Sequence, residues 1–188
     1  QEDIFIHSLV NNAGFANYGP FIEHDWGAED ALLDLNISAL TELTHTFAKP
    51  MAEEGHGRIL NVASTGSFFP APYLATYDAS KAYVLFFTEG IAPELAEHDI
   101  NVTCLCPGAT KTKFVEEAGG KADEAAGSIP DFAWAEPRNV AEYGYRSVNK
   151  GKVVAVHGWL NSFWTTLIRY APRPLVRWIV ANAQRNSQ

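Results

Sequence analysis

Short apolar segments alternate with longer amphipathic ones along most of the chain, and this alternation restricts the fold more than any other feature. Segments of strand length end in turn residues, and segments with helical periodicity separate them. The predicted strands are 4–14, 57–64, 100–108 and 152–158, and the predicted helices are 28–55, 76–98 and 137–151. Strands joined by helices of this length form parallel sheets through right-handed crossovers. The sequence therefore predicts an α/β fold built on a parallel sheet.

Charge and cysteine content exclude several classes of protein. The formal net charge of −8 argues against nucleic-acid binding, which requires a basic face. Cys104 and Cys106 alternate within a predicted strand and have no His or Cys cluster near them, so we expect buried, reduced thiols and no metal site. The sequence has neither a signal-like start nor an apolar run of about 18 residues, and a cytoplasmic protein is therefore expected.

Three segments of unusual composition follow predicted strands. They are NNAG at 11–14, AST at 63–65 and PGATKT at 107–112. Parallel strands end at the same edge of a sheet, and ligands of open α/β sheets bind beyond that edge. These segments therefore predict a ligand site.

Tyr77 and Lys81 lie four residues apart in a predicted helix and share one face of it. An ammonium group near a phenol lowers the phenol pKa from about 10 towards the range that suits proton transfer. Ser64 lies at the end of the preceding strand and is suited to hold a carbonyl oxygen. Asn36 lies inside a predicted helix although asparagine is a poor helix former, which indicates a role beyond forming the helix. Taken one at a time, these residues also fit ordinary surface roles.

The candidate residues follow one another in the order of a known set of motifs. They are Asn11-Asn12-Ala13-Gly14, Asn36, Ser64, Tyr77 with Lys81, and Pro107-Gly108 with Thr112. In this order and spacing the chain resembles the short-chain dehydrogenases/reductases over essentially its whole length.

The resemblance implies a Rossmann-like, doubly wound parallel sheet in a three-layer α/β/α arrangement. Residues 1–158 would form part of the catalytic domain, and 159–188 would form an amphipathic helical tail of the same domain. The implied activity is interconversion of a ketone and a secondary alcohol with NADP or NAD, NADP being favoured. The implied partners are an apolar, ketoacyl- or lipid-like substrate and further copies of the chain in a homodimer or homotetramer.

The resemblance also implies a role for each motif residue. Tyr77 would be the general acid/base, and Lys81 would lower its pKa and bind the nicotinamide ribose. Ser64 would orient the substrate carbonyl, and Asn36 would support a water-linked proton relay. The implied cofactor-binding residues are Asn12, Ala13, Gly14, Tyr77, Lys81, Pro107, Gly108, Thr110 and Thr112.

One motif of the family is not found in the chain. The glycine-rich loop that binds the pyrophosphate should follow a first strand, whereas the glycine-containing segment 116–127 follows no strand and is expected to be a mobile loop. We expect the chain to be part of a longer reductase. The alternative is a shortened protein whose exposed sheet edge a partner covers.

The tail and the overall function each leave two interpretations open. Segment 158–185 mixes aromatic, aliphatic and arginine residues and is interrupted by Pro172 and Pro174. It predicts either a helix pair that packs over the site or on a second subunit, or an amphipathic element that contacts anionic lipid at a membrane surface. The rival function is a non-catalytic binding or regulatory protein on the same scaffold, and the complete set of four candidate catalytic residues argues against it.

Overall fold

The computed structural model describes residues 4–119 and 129–185 of the 188-residue chain. Within these residues four strands form one parallel sheet in the order β1-β2-β3-β4. The strands are β1 (Ser8–Asn11), β2 (Gly57–Val62), β3 (Ile100–Cys106) and β4 (Val154–Val156). The helices are α1 (Trp26–Leu33), α2 (Leu40–Glu54), α3 (Ala75–Ala96), α4 (Phe114–Ala118), α5 (Pro137–Asn149), α6 (Trp159–Tyr170) and α7 (Arg173–Arg185).

The sheet lies between two helical layers because successive strand side chains point to opposite faces. Ile59 and Val102 pack with residues of α2 and α3, whereas Leu60 and Leu105 pack with residues of α5. The predicted parallel α/β fold with three layers is confirmed. The predicted burial of Cys104 and Cys106 is confirmed as well: both are free thiols, with their sulfur atoms 3.7 Å apart.

The outer strands differ from the prediction. The expected buried strand over 4–14 is wrong, because β1 covers only Ser8–Asn11 and Val10 is 58% exposed. Among the described residues β1 has a neighbour on one side only, so its side chains are covered less than those of β2 and β3. The predicted strand 152–158 is likewise reduced to β4, which has three residues.

The predicted helix over 28–55 is divided in the structure. It begins earlier, at Trp26, where the Asp25 carboxylate accepts a hydrogen bond from the Ala28 amide (3.3 Å). A π-helical stretch, Asp34–Ala39, joins α1 to α2, and Gly55 ends α2 with a φ of 71°. Predicted helices 76–98 and 137–151 correspond to α3 and α5.

The loop and the tail contain more local structure than their composition shows. The predicted loop 109–136 contains α4 and a 3₁₀ turn at Asp131–Ala133, and its residues 120–128 lie outside the described part of the chain. The tail forms α6 and α7, separated at Ala171 and Pro172, as the prolines predict.

Candidate active site

The predicted catalytic residues meet at the edge where the parallel strands end. The Ser64 hydroxyl lies beside the Tyr77 phenol and lowers its pKa. The Lys81 Nζ lies 5.8 Å from the centre of the Tyr77 ring. A Cβ placed on Gly14 would lie 3.2 Å from the Lys81 Nζ and 2.8 Å from the Asn36 Oδ1. Residues from four separate segments of the chain therefore converge on one site.

The turn after β2 positions Ser64 against α3. The Ser64 Oγ accepts a hydrogen bond from the Gly66 amide (3.1 Å), which makes Ser64 the cap of the 3₁₀ turn Thr65–Phe68. The Ser67 Oγ accepts from the Ser64 amide (3.4 Å) and donates to the Lys81 carbonyl (2.8 Å). Hydrogen bonds thus join the turn to the helix that carries Tyr77 and Lys81, and this keeps the Ser64 hydroxyl close to the Tyr77 hydroxyl.

Burial, rather than the nearby ammonium, has the largest effect on the pKa of Tyr77. Desolvation raises the pKa of Tyr77 to about 12, and the hydrogen bond from Ser64 only partly opposes this. The negative charge of Asp78 raises the Tyr77 pKa further. The Lys81 Nζ donates to the Val62 carbonyl (3.0 Å) at the end of β2. Burial also lowers the pKa of Lys81 to about 8.

Asn36 connects the NNAG segment to α3. Its Nδ2 donates to the Phe15 carbonyl and to the Ser80 Oγ (both 3.0 Å), and its Oδ1 accepts from the Phe15 amide (3.2 Å). The Ser80 Oγ in turn donates to the Tyr77 carbonyl (2.7 Å). Asn36 lies in the π-helical stretch, a local irregularity that is frequent at functional sites. These bonds use the Asn36 side chain to hold neighbouring segments in place. Its predicted part in a proton relay therefore stays a prediction.

Gly14→Ala is expected to destabilise the fold by about 1–3 kcal/mol, because the added methyl group would overlap the fixed Asn36 amide. Urea unfolding measures the effect. Gly90→Ala is the matched control: a Cβ added there, on α3, would meet no neighbouring segment within 4 Å, and the change should stabilise the helix by up to about 1 kcal/mol. Equal effects of the two substitutions would show that Gly14 is not tightly packed.

The segment after β3 covers the site from another side. The Phe114 ring packs on the Tyr77 ring with 5.4 Å between their centres. The Thr110 Oγ1 donates to the Gly108 carbonyl (3.0 Å), and the Phe114 amide donates to the Thr112 Oγ1 (3.3 Å). Both threonine hydroxyls therefore stabilise the loop locally, and their predicted contact with a cofactor stays a prediction.

The remaining predicted cofactor residues lie at two strand ends. Asn12 and Ala13 are exposed beyond β1, and Pro107 and Gly108 are half-buried beyond β3. Asn161 of α6 packs so closely on Gly108 that a Cβ there would lie 2.5 Å from its Nδ2. The tail thus contacts the Pro107-Gly108 turn directly. These segments lie far apart in the chain, so no local sequence pattern predicts the contact.

Two polar features of the site were missed from the sequence. Asp78 is buried beside Tyr77, its Oδ2 accepts from the Ala71 amide (2.9 Å), and burial raises its pKa to about 7. The Asn11 Nδ2 donates to the Asn61 Oδ1 (2.8 Å) and to the Thr44 Oγ1 (3.0 Å), joining β1, β2 and α2. The acid within TYDASKAY was the only sequence signal for the first of these features.

The described residues contain no group of three or more His, Cys, Asp or Glu side chains that could hold a metal ion. The site brings together a phenol, a hydroxyl and an ammonium group. Such a set is suited to bind an oxygen atom and to exchange a proton with it.

Comparison with known proteins gives a consistent picture. The family model described as short chain dehydrogenase matches residues 5–123. The chain is 33% identical over 135 residues to acetoacetyl-CoA reductase of Paracoccus denitrificans, covering 71% of this chain and 56% of that protein. It is 35% identical over 120 residues to nodulation protein G of Rhizobium sp. (strain N33), covering 62% and 48%. The chain spans about half the length of the curated relatives it matches.

A solved structure agrees with the fold. A short-chain dehydrogenase from Sphingobium yanoikuyae, in complex with NADPH, superposes with a TM-score of 0.75 at 27% identity. The alignment covers 91% of this chain and 68% of that chain. Together with the family match, this likeness extends to the parallel sheet and the flanking helices described above.

Proposed function

The chain belongs to the short-chain dehydrogenase family, and from this premise we propose that the whole protein is an NAD(P)-dependent oxidoreductase that interconverts a ketone and a secondary alcohol. The observation that carries the proposal is the position of the Tyr77 phenol beside both the Ser64 hydroxyl and the Lys81 ammonium. A purely structural tyrosine needs neither partner. Acid/base chemistry at an oxygen atom uses both of them.

The residues present fit the nicotinamide end of a dinucleotide. Tyr77, Lys81 and Gly14 meet at the strand ends, and Gly14 lets the Lys81 ammonium and the Asn36 amide pack closely against the backbone of this turn. We assign the ribose contact to Lys81 and the surrounding contacts to Asn12, Ala13, Pro107, Gly108, Thr110 and Thr112. NADP is favoured over NAD, and the NADPH complex of the Sphingobium relative supports this choice. The bound cofactor supplies or accepts the hydride.

The side chains of this chain handle the substrate oxygen and its proton. Ser64 orients the carbonyl oxygen by donating a hydrogen bond to it, and the Tyr77 phenol delivers a proton to that oxygen during reduction. During oxidation the phenolate takes the proton back. The Lys81 ammonium stabilises the phenolate, and with a pKa of about 8 it is mostly protonated at neutral pH. Its charge opposes the desolvation that otherwise keeps Tyr77 protonated.

An apolar substrate is the best match to the surroundings of Ser64. A cavity of about 270 Å³ lies between the turn that follows β2 and helix α6. Thr65, next to Ser64 in the chain, lines it together with Phe69, Trp164 and Ile168. The name of the acetoacetyl-CoA reductase relative supports a ketoacyl substrate. We therefore propose a ketone with an apolar chain or ring system.

The assembly and location of the protein are also proposals. Phe86 and Tyr83 on α3 are 74% and 38% exposed, which supports burial against a second copy in a homodimer or homotetramer. The two reduced thiols in the core fit a cytoplasmic protein. In the described part of the chain no helix has the length and apolar character needed to cross a membrane.

Oxidation of NADPH by the whole protein with a panel of ketones tests the proposal. Ketones that carry long acyl chains or fused rings are expected to be reduced faster than acetone-sized ketones. A non-catalytic protein on the same scaffold would bind NADPH, measured by fluorescence, yet reduce no ketone in the panel. That result would replace the enzyme by the binding or regulatory alternative.

A further inference from the structure

Helix α6 exposes an apolar stripe on the side that faces away from the sheet. The stripe consists of Trp159, Phe163, Leu167 and Tyr170, spaced so that they share one helical face. Trp159 is 81% exposed and Tyr170 is 85% exposed. Asn161, Thr165 and Ile168 occupy the opposite face and line the cavity beneath the helix. The exposed stripe is thus not needed to hold α6 on the body of the protein.

Helix α7 repeats this arrangement. Leu175, Trp178 and Ile179 are spaced to share a face, and they are 47%, 64% and 51% exposed. Arg173 and Arg177 lie about half a turn away from this stripe and are exposed as well. Aromatic and aliphatic residues on one face, with arginines on another, form the pattern of a helix that lies in a membrane interface.

The charge of the tail is opposite to that of the rest of the chain. Residues 157–188 contain four arginines and no Asp or Glu, while the whole chain carries −8. Arg169 contacts the body of the protein: its guanidinium stacks on the Phe68 ring (4.9 Å) and lies 3.8 Å from the Glu89 carboxylate. Arg173 and Arg177 are therefore the cations that accompany the apolar stripes.

We propose that the exposed face of α6 and α7 docks onto an anionic lipid surface. The apolar stripes would enter the headgroup region, the Trp and Tyr rings would lie at its boundary, and the arginines would pair with lipid phosphates. A symmetric contact with a second copy fits less well, because it would bring together two tails that each contain four arginines and no acid. The helices lie on the surface rather than cross it, since none described is long and apolar enough to span it.

Flotation of the whole protein with lipid vesicles tests the docking surface. Vesicles of equal parts phosphatidylcholine and phosphatidylglycerol are expected to carry the protein, and vesicles of phosphatidylcholine alone to carry much less. Arg173→Gln with Arg177→Gln should lower the partition coefficient about fivefold for each arginine removed. Trp159→Ser with Trp178→Ser should lower it by at least about tenfold.

Matched variants separate the tail from general charge and hydrophobicity. Arg138→Gln with Arg146→Gln makes the same charge change on the exposed face of α5. Phe21→Ser with Phe132→Ser removes two aromatic rings that are 62% and 80% exposed elsewhere on the surface. Both control pairs should bind vesicles like the unaltered chain, and circular dichroism verifies the fold of every variant.

Two outcomes would overturn the proposal. One is flotation that the tail variants reduce no more than the control variants do. The other is the absence of vesicle binding together with self-association that Trp159→Ser with Trp178→Ser abolishes in analytical ultracentrifugation. That second outcome would show that another copy of the chain covers the face.

Discussion

Tyr77→Phe is expected to lower kcat for ketone reduction by about 100- to 10,000-fold and to leave the affinity for NADPH almost unchanged. The substitution removes the hydroxyl that lies beside Ser64, yet it keeps the ring that packs on Phe114. The loss therefore concerns proton transfer rather than the shape of the site. NADPH oxidation with the preferred ketone, and fluorescence titration of NADPH, measure the two quantities in the whole protein.

Tyr83→Phe is the matched control for this prediction. Tyr83 lies on the same helix, and its hydroxyl also shares a hydrogen bond, with the Thr41 Oγ1 (3.1 Å). It is 38% exposed and lies outside the site, so its loss should leave kcat within about twofold, as expected for surface substitutions away from a site. Turnover of Tyr77→Phe at the rate of the unaltered protein would show that Tyr77 is not the acid/base. Similar losses in both variants would point to a general disturbance of α3.

Asp78→Asn is expected to stabilise the fold by on the order of 3–4 kcal/mol above pH 7 and to have little effect near pH 4. Burial raises the pKa of Asp78 to about 7 from the usual 3.8. Between these values the folded protein keeps a proton that the unfolded chain has released. The contribution of Asp78 to the free energy of unfolding therefore falls as pH rises from about 4 to about 7. An asparagine remains neutral, and its oxygen still accepts the hydrogen bond from the Ala71 amide.

Urea unfolding of the variant and the unaltered chain from pH 4 to pH 8 measures the difference between them, in which the other titrating groups cancel. Asp30→Asn, at an exposed position of α1, serves as the control for removing a carboxylate away from the buried site. A constant difference for Asp78→Asn would mean that Asp78 ionises in the folded protein as it does in the unfolded chain.

The fold follows from the sequence wherever local periodicity decides the structure. The strands at 57–62 and 100–106 and helix α3 lie within two residues of their predicted bounds, because apolar patterning and turn residues mark them directly. The prediction failed for β1, whose apolar residues resemble those of a central strand while its position in the described sheet is at an edge. The π-helical stretch around Asn36 was also missed, and the bonds of Asn36 to Phe15 and Ser80 join segments that lie far apart in the chain.

The candidate site was likewise predicted from the sequence only in part. Asn36, Ser64, Tyr77 and Lys81 were proposed from their order along the chain and from the rule that parallel strands end together, and the structure brings them close to one another. Asn161 was missed because its contact with Gly108 joins segments that lie far apart in the chain. The predicted shift of the Tyr77 pKa was also wrong. The sequence places a lysine nearby, which predicts a lower pKa, whereas burial raises the pKa to about 12.

The sequence by itself determined the order of strands and helices and the identity of the groups at their ends, because periodicity and strand-end position are local properties of the chain. Only the tertiary structure decided how readily those groups ionise. Desolvation depends on every segment that covers a side chain, and at Tyr77, Asp78 and Lys81 this term exceeds the effect of neighbours along the helix.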